Sequence, residues 1–167
     1  MPDTQSTFAI FAEVSVALAG FSGIVIAFGK RSLGALTSLE VRRLSNLFML
    51  SGLVLMSSLL GICALHVDGL NPGRFWQASS AILFLIIAPW LCWDVLRLTR
   101  LERQERAQVN RVILYSFNAL AVAVLLLQLA NAVLLRSSWP VFIALTAAIG
   151  GAFQQFILLV RMGYLER

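Results

Sequence analysis

Five long apolar stretches separated by short polar connections dominate this chain of 167 residues. They lie at about residues 8–28, 44–65, 76–96, 112–135 and 139–160. Each is close to or above the roughly 20 residues that an α-helix needs to cross the hydrocarbon core of a bilayer. Because backbone polar groups in lipid must be bonded within the protein, such stretches fold as helices. The sequence therefore predicts one all-α domain over residues 1–167, a bundle of five transmembrane helices.

The overall composition excludes an ordinary soluble domain. Hydrophobic residues make up 59% of the chain and charged residues only 13%, whereas a soluble domain carries about 25% charged residues. The net charge of +5 would suggest nucleic acid in a soluble protein. In a membrane protein, the retention of basic residues on one side of the bilayer explains this positive charge. We therefore expect anionic lipid head groups as partners, and no nucleic acid.

The basic residues are distributed unevenly among the connections, and this predicts an orientation. Eleven of the 13 lie in the connections 29–43 and 97–111 or after the last stretch, and the other two are Arg74 and Arg136. Cytoplasmic connections carry the excess of lysine and arginine, so we predict an external amino terminus and a cytoplasmic carboxyl terminus. The chain is short and contains no Asn-x-Ser/Thr sequence for N-glycosylation, and both features favour a bacterial inner membrane. Thr37 and Glu40 have the spacing of a capping box, so we expect the second helix to begin at Thr37.

Glu13 is the outstanding polar residue because it lies inside the first apolar stretch. Counted from Phe8, it lies roughly 7–8 Å below the outer boundary. A carboxylate at that depth must be paired, hydrated or protonated, which makes Glu13 a candidate for an ion or substrate pathway. Two structural interpretations compete with this one. The side chain can reach the interface, or it can pair with a basic group on the same side, for which the candidates are Arg136, Arg74 and His66.

Gln128 and Asn131 are three residues apart in the outer half of the fourth stretch. They can share a polar layer with Glu13 and line the same pathway. The interpretation that we favour is hydrogen bonding between helices, because amide side chains often join helices within a membrane.

Small residues recur at every fourth position in the first stretch and again in the fifth. Residues four apart lie on one helix face, where small side chains allow another backbone to approach. We therefore predict helix packing, within the chain or between copies, at Ser15, Ala19, Gly20, Gly23, Ala27, Ala148 and Gly151.

The connection 97–111 is rich in arginine. Its simplest role is to fix topology beside anionic lipids, and the alternative is contact with a cytosolic or membrane protein partner. The candidate residues for lipid or partner contact are Arg97, Arg100, Arg103 and Arg106.

The chain carries little of the chemistry that enzymes use. His66 is the only histidine, and Cys63 and Cys92 are not spaced as a CxxC pair. We therefore predict no catalytic residue, no metal and no cofactor.

The leading function hypothesis is an oligomeric membrane protein with a channel-like or transport-like role that uses Glu13. The alternative is a structural or regulatory subunit that binds a protein partner through its basic cytoplasmic hairpin. A third hypothesis is an intramembrane enzyme that acts on a lipid or a quinone, since fold alone does not decide function.

Overall fold

The structure is a computed structural model that describes residues 4–28, 37–99 and 111–165. Nearly all of these residues are helical, as the sequence predicts. The helices are α1 (Thr4–Phe28), α2 (Ser38–Leu65), α3 (Pro72–Thr99), α4 (Arg111–Ala130) and α5 (Trp139–Leu165). A π-helical turn, Asn131–Leu135, extends α4.

Each helix contains a segment that is long and apolar enough to cross a membrane. Within the described ranges these segments are Thr4–Gly23, Ser38–Leu65, Pro72–Arg97, Leu114–Leu135 and Trp139–Arg161. The prediction of five membrane-length helices is confirmed, and the chain is compatible with a multi-pass membrane protein. α2 and α3 have 28 residues each, so each is about 42 Å long and exceeds a hydrocarbon core of about 30 Å.

The start of α2 confirms the predicted capping box. The backbone N–H of Glu40 donates to Thr37 Oγ1 at 3.2 Å, and the backbone N–H of Thr37 donates to Glu40 Oε2 at 2.8 Å. These two bonds satisfy donors that a helix terminus otherwise leaves unpaired. α2 therefore begins six residues before the apolar stretch at residue 44, and Arg42 and Arg43 belong to the helix.

The end of α4 departs from regular α-helix. The backbone N–H of Arg136 donates to the carbonyl oxygen of Asn131 at 3.3 Å, which closes the wide π turn. Arg136 then adopts a left-handed conformation with φ of 53°, the one positive φ of a non-glycine among the described residues. A side chain in this conformation costs roughly 1–2 kcal/mol, so other contacts must hold the turn in place.

The chain divides into two compact units. The first comprises α1, α2 and the part of α5 from Ala148 onward. α1 packs along α2, and Phe8 near the start of α1 touches Gly61 near the end of α2, so the two helices are antiparallel.

The second unit extends from Asp68 to Ala147 and holds α3, α4, the π turn and the beginning of α5. α3 packs against α4 and the π turn. The buried Trp76 ring lies edge-on to Phe75 and Phe142, with ring centroids 4.6 and 5.8 Å apart, an arrangement that suits the charge distribution of aromatic rings.

Candidate functional site

Glu13 lies in the first half of α1. α1 begins at Thr4, so Glu13 is nine residues from the helix start, about 14 Å at 1.5 Å per residue. The helix continues for 15 residues beyond Glu13, to Phe28. The side chain is exposed, and no hydrogen bond or ion pair joins its carboxylate to another residue in the described part of the chain.

The face of α1 that carries Glu13 is opposite the face that carries the buried residues of this helix. The buried residues of α1 lie roughly 140–180° around the helix from Glu13, at about 100° per residue, and they are Phe8, Ser15, Leu18 and Ser22. Between Thr4 and Gly23, the residues within about 40° of Glu13 around the helix have small side chains, and they are Ser6, Ala9, Ala17 and Gly20. We call the set of Glu13 and these four residues the Glu13 face.

Gln128 and Asn131 lie in the second unit and are completely buried, at 0% exposure each. The Asn131 amide donates from Nδ2 to Ser80 Oγ of α3 at 2.7 Å and to the carbonyl oxygen of Ser137 at 2.9 Å. Its Oδ1 accepts from the backbone N–H of Ser137 at 2.9 Å. One side chain thus joins α3 to the turn that follows the π helix.

Gln128 and Gln77 bond in the same region. Gln128 Nε2 donates to the carbonyl oxygen of Pro140 at 2.7 Å, and Gln77 Nε2 donates to the carbonyl oxygen of Ala132 at 3.1 Å. Gln128 Oε1 is buried and accepts no hydrogen bond from the described residues. We call Gln77, Ser80, Gln128, Asn131 and Ser137 the amide layer. Its bonds are those expected of helix packing.

The buried face of α1 shares Ser15 with the predicted small-residue row but leaves Gly20 and Gly23 exposed. Ser15 is buried, as a contact residue must be, and Ala19 is half-buried. Gly20 and Gly23 are exposed, and a Cβ added at either would meet no described atom within 4 Å. Their packing against another copy stays a prediction, and the side chain of Ala27 lies outside the described residues.

The residues predicted to pack on α5 are buried. Ala148 and Gly151 lie on its inner surface together with Ala152 and Ala144. Of the two glycines on α2, Gly61 is the one in close contact, because an added Cβ would come within 2.7 Å of the Phe8 ring. Gly61 is not among the predicted packing residues, although its spacing of seven from Val54, which is itself seven from Leu47, places all three on one helix face.

Arg42 and Arg43 were counted among the basic residues of the connection 29–43, and the structure buries both to 8% exposure. Arg43 Nη1 donates to the carbonyl oxygen of Leu158 on α5 at 3.4 Å. Glu40 and Asn46, one turn to either side, are also buried. The capping box indicated this burial in the sequence, because a helix that starts at Thr37 places Arg43 on the same face as the buried Leu47 and Leu50.

Arg97 lies in α3 and is half-buried. Arg100, Arg103 and Arg106 lie outside the described residues. Within the described ranges, no group of three or more histidine, cysteine, aspartate or glutamate side chains is arranged to hold a metal ion.

Comparison of this chain with protein-family models, with curated proteins and with solved structures finds no match.

Proposed function

We propose that this chain is an oligomeric membrane protein with a channel-like or transport-like role, in which Glu13 is the polar group of the pathway. The observation that carries the proposal is the position of Glu13. It is an exposed carboxylate within a membrane-length helix, on the face of α1 opposite the buried residues of that helix. Ionisable groups at membrane depth are costly and usually mark ion or substrate pathways.

The buried amides are left out of this pathway. Gln128 and Asn131 are fully buried and bonded to Ser80, Ser137 and Pro140, which gives them a packing role. We propose that water or another copy of the chain supplies the polar surroundings of Glu13. This supports an oligomer as the working form.

Flux through liposomes tests the role of Glu13. Purified protein is reconstituted, and proton and monovalent cation flux are measured for the native chain and for Glu13→Gln, which keeps the shape and removes the charge. We expect Glu13→Gln to reduce flux to that of empty liposomes. The matched control is Asp68→Asn, which removes an exposed carboxylate outside the helices and should leave flux unchanged.

Equal flux from the native chain and Glu13→Gln would refute the pathway. Absence of flux from the native chain would favour the alternative of a structural or regulatory subunit. In that case, charge reversal in the basic connection 97–111 should change which proteins are isolated with it.

The orientation is part of the same proposal. The basic residues support an external amino terminus and a cytoplasmic carboxyl terminus in a bacterial inner membrane. In a chain with Cys63 and Cys92 replaced by serine, a membrane-impermeant maleimide should label Asp68→Cys in intact cells. It should label Ser38→Cys, at the other end of α2, only after permeabilisation. The reverse pattern would invert the topology.

A further inference from the structure

The carbonyl oxygen of Ala132, in the π turn that extends α4, takes a hydrogen bond from another helix. In a regular α-helix this oxygen accepts from the backbone N–H four residues later, that of Arg136. The N–H of Arg136 donates instead to the carbonyl oxygen of Asn131 at 3.3 Å, and the N–H of Ser137 donates to Asn131 Oδ1 at 2.9 Å. Gln77 Nε2 of α3 donates to the carbonyl oxygen of Ala132 at 3.1 Å and takes the place of that donor.

Two polar side chains of α3 bond to consecutive residues of the π turn. Gln77 and Ser80 are three residues apart and lie on one face of α3, and Ser80 Oγ accepts from Asn131 Nδ2 at 2.7 Å. All of these residues belong to the second unit. A backbone carbonyl without a donor is unfavourable in an apolar environment, so the π turn depends on a donor at Ala132 that comes from α3.

The end of α4 has a second hydrogen-bonding pattern within reach. Without Gln77, the N–H of Arg136 can return from Asn131 to Ala132, which restores the regular α pattern and satisfies the same carbonyl oxygen. In the π pattern Arg136 has a left-handed backbone, which is unfavourable for a residue with a Cβ. The π pattern therefore has a cost within the turn and a compensating bond from α3. Single π turns within helices frequently occur at functional sites.

We propose that the end of α4 is a conformational switch between the π and the α pattern, and that Gln77 selects the π pattern. Gln77 is a positioning residue, because it acts through the carbonyl oxygen of Ala132 on the backbone of Arg136. The contact between α3 and α4 is thereby coupled to the direction in which the chain leaves α4 towards α5. This inference concerns the second unit and does not rest on the Glu13 face.

A disulfide between residues 73 and 136 reports which pattern is present. A Cβ added at Gly73 would lie 3.7 Å from the Cβ of Arg136, and the Cβ atoms of a disulfide are about 3.5–4.5 Å apart. The full-length chain in its native membrane carries Gly73→Cys and Arg136→Cys, with Cys63→Ser and Cys92→Ser as the background. Disulfide formation under mild oxidation is measured as the loss of thiols that a maleimide polymer labels on a gel.

Two substitutions of Gln77 remove the bond from α3. Gln77→Met keeps the length of the side chain without a donor, and Gln77→Asn keeps the amide but is one methylene shorter. We expect either change to slow disulfide formation several-fold, because the α pattern moves residue 136 around the helix axis and away from residue 73. The matched control is Asn118→Leu, which should leave the rate unchanged, since the Asn118 amide donates to a carbonyl oxygen of its own helix.

Nuclear magnetic resonance separates a change of pattern from a loosened contact. In the full-length chain without added cysteines, isotopically labelled at arginine, Gln77→Asn should move the backbone chemical shifts of Arg136 from left-handed to helical values. Those of Arg43 on α2 should stay the same. Slower disulfide formation with left-handed or random-coil shifts at Arg136 would overturn the switch. An unchanged rate in both Gln77 variants, or an equal loss with Asn118→Leu, would overturn it as well.

Discussion

The α1–α2 contact and the amide layer hold helices together by different means. At the α1–α2 contact, the Phe8 ring lies over Gly61. The buried serine hydroxyls of α1 bond only within their own helix. Ser15 donates to the carbonyl oxygen of Ala12, and Ser22 donates to those of Leu18 and Ala19. In the amide layer, Asn131 and Gln128 bond to atoms on other elements. Lipid tails are as apolar as leucine, so helix association in a membrane depends on close fit or on hydrogen bonds. The α1–α2 contact depends mainly on close fit, and the amide layer depends on hydrogen bonds.

We expect the loss of a single polar side chain to lower the free energy of unfolding more in the amide layer than at the α1–α2 contact. Asn131→Leu removes three hydrogen bonds and leaves the backbone N–H of Ser137 without its acceptor. At roughly 0.6 kcal/mol for each bond in a membrane protein, the free energy of unfolding should fall by about 2 kcal/mol. Unfolding of the purified protein in mixed detergent micelles measures the change.

Asn118→Leu is the control on the same helix. Asn118 Nδ2 donates only to the carbonyl oxygen of Leu114, one turn earlier, so this change should alter stability by less than about 0.6 kcal/mol. Equal losses of stability from Asn131→Leu and Asn118→Leu would mean that hydrogen bonds between helices contribute no more than a bond within one helix.

The second prediction concerns the close fit between α1 and α2. Gly61→Ala places a Cβ within 2.7 Å of the Phe8 ring, and the resulting overpacking should reduce stability by about 1–2 kcal/mol. Gly52→Ala is matched to it, because it lies on the same helix with no described atom within 4 Å of the new Cβ, and should gain up to about 1 kcal/mol from helix propensity.

Adding Phe8→Leu to Gly61→Ala should recover part of the loss, since the smaller side chain makes room for the new methyl group. Opposite effects of the two glycine substitutions would establish the close fit. The same gain at both positions would show that α1 and α2 are farther apart than the structure has them.

A third prediction tests whether the amide layer holds the turn after α4 in a strained conformation. Arg136→Gly should raise the free energy of unfolding by about 1 kcal/mol, because glycine adopts the left-handed conformation without steric cost. Arg136→Ala, which loses the side chain but keeps the Cβ, should bring no such gain. Similar stabilities for the two variants would indicate that the backbone at residue 136 is not strained.

The smallest effect is expected at the buried serine hydroxyls of α2. Ser58 is 0% exposed, and its Oγ has no hydrogen-bond partner among the described residues. Ser58→Ala should therefore leave stability unchanged or raise it by up to about 1 kcal/mol, because an unsatisfied buried hydroxyl is unfavourable. Ser80→Ala, which removes the acceptor of an Asn131 bond, should lower stability. Thermal denaturation followed by circular dichroism gives the order, and a larger loss from Ser58→Ala would contradict the comparison.

Much of the secondary structure was readable from the sequence. In lipid, an apolar stretch of membrane length has a stable backbone only as a helix. Thr37 and Glu40, which are three residues apart, marked the start of α2 as a capping box. The π turn and the left-handed Arg136 were not readable. No residue type at positions 131–136 requires either the π turn or a left-handed backbone. Both depend on the hydrogen bonds that Asn131 forms with Ser80 and Ser137.

The candidate residues divide in the same way. Glu13 stood out in the sequence because a carboxylate is rare in an apolar stretch, but its direction away from α2 is a property of packing. Gly20 and Gly23 were selected because small residues recur every four positions, whereas the contact that formed follows Phe8, Ser15 and Ser22, seven apart. Periodicity shows which residues share a face, but it cannot say which face a neighbouring helix will choose.

The sequence by itself determined that this chain forms helices of membrane length, where the second helix begins and that a carboxylate lies within the first. Those properties follow from local chemistry, the cost of an unbonded backbone in lipid and the bonds of a capping box. Only the tertiary structure decided that Arg42 and Arg43 are buried, that Gln128 and Asn131 bond across elements, and that Glu13 is exposed. Each of these depends on which residues distant in the chain come together, and the pattern of apolar and polar residues along one helix carries no information about that choice.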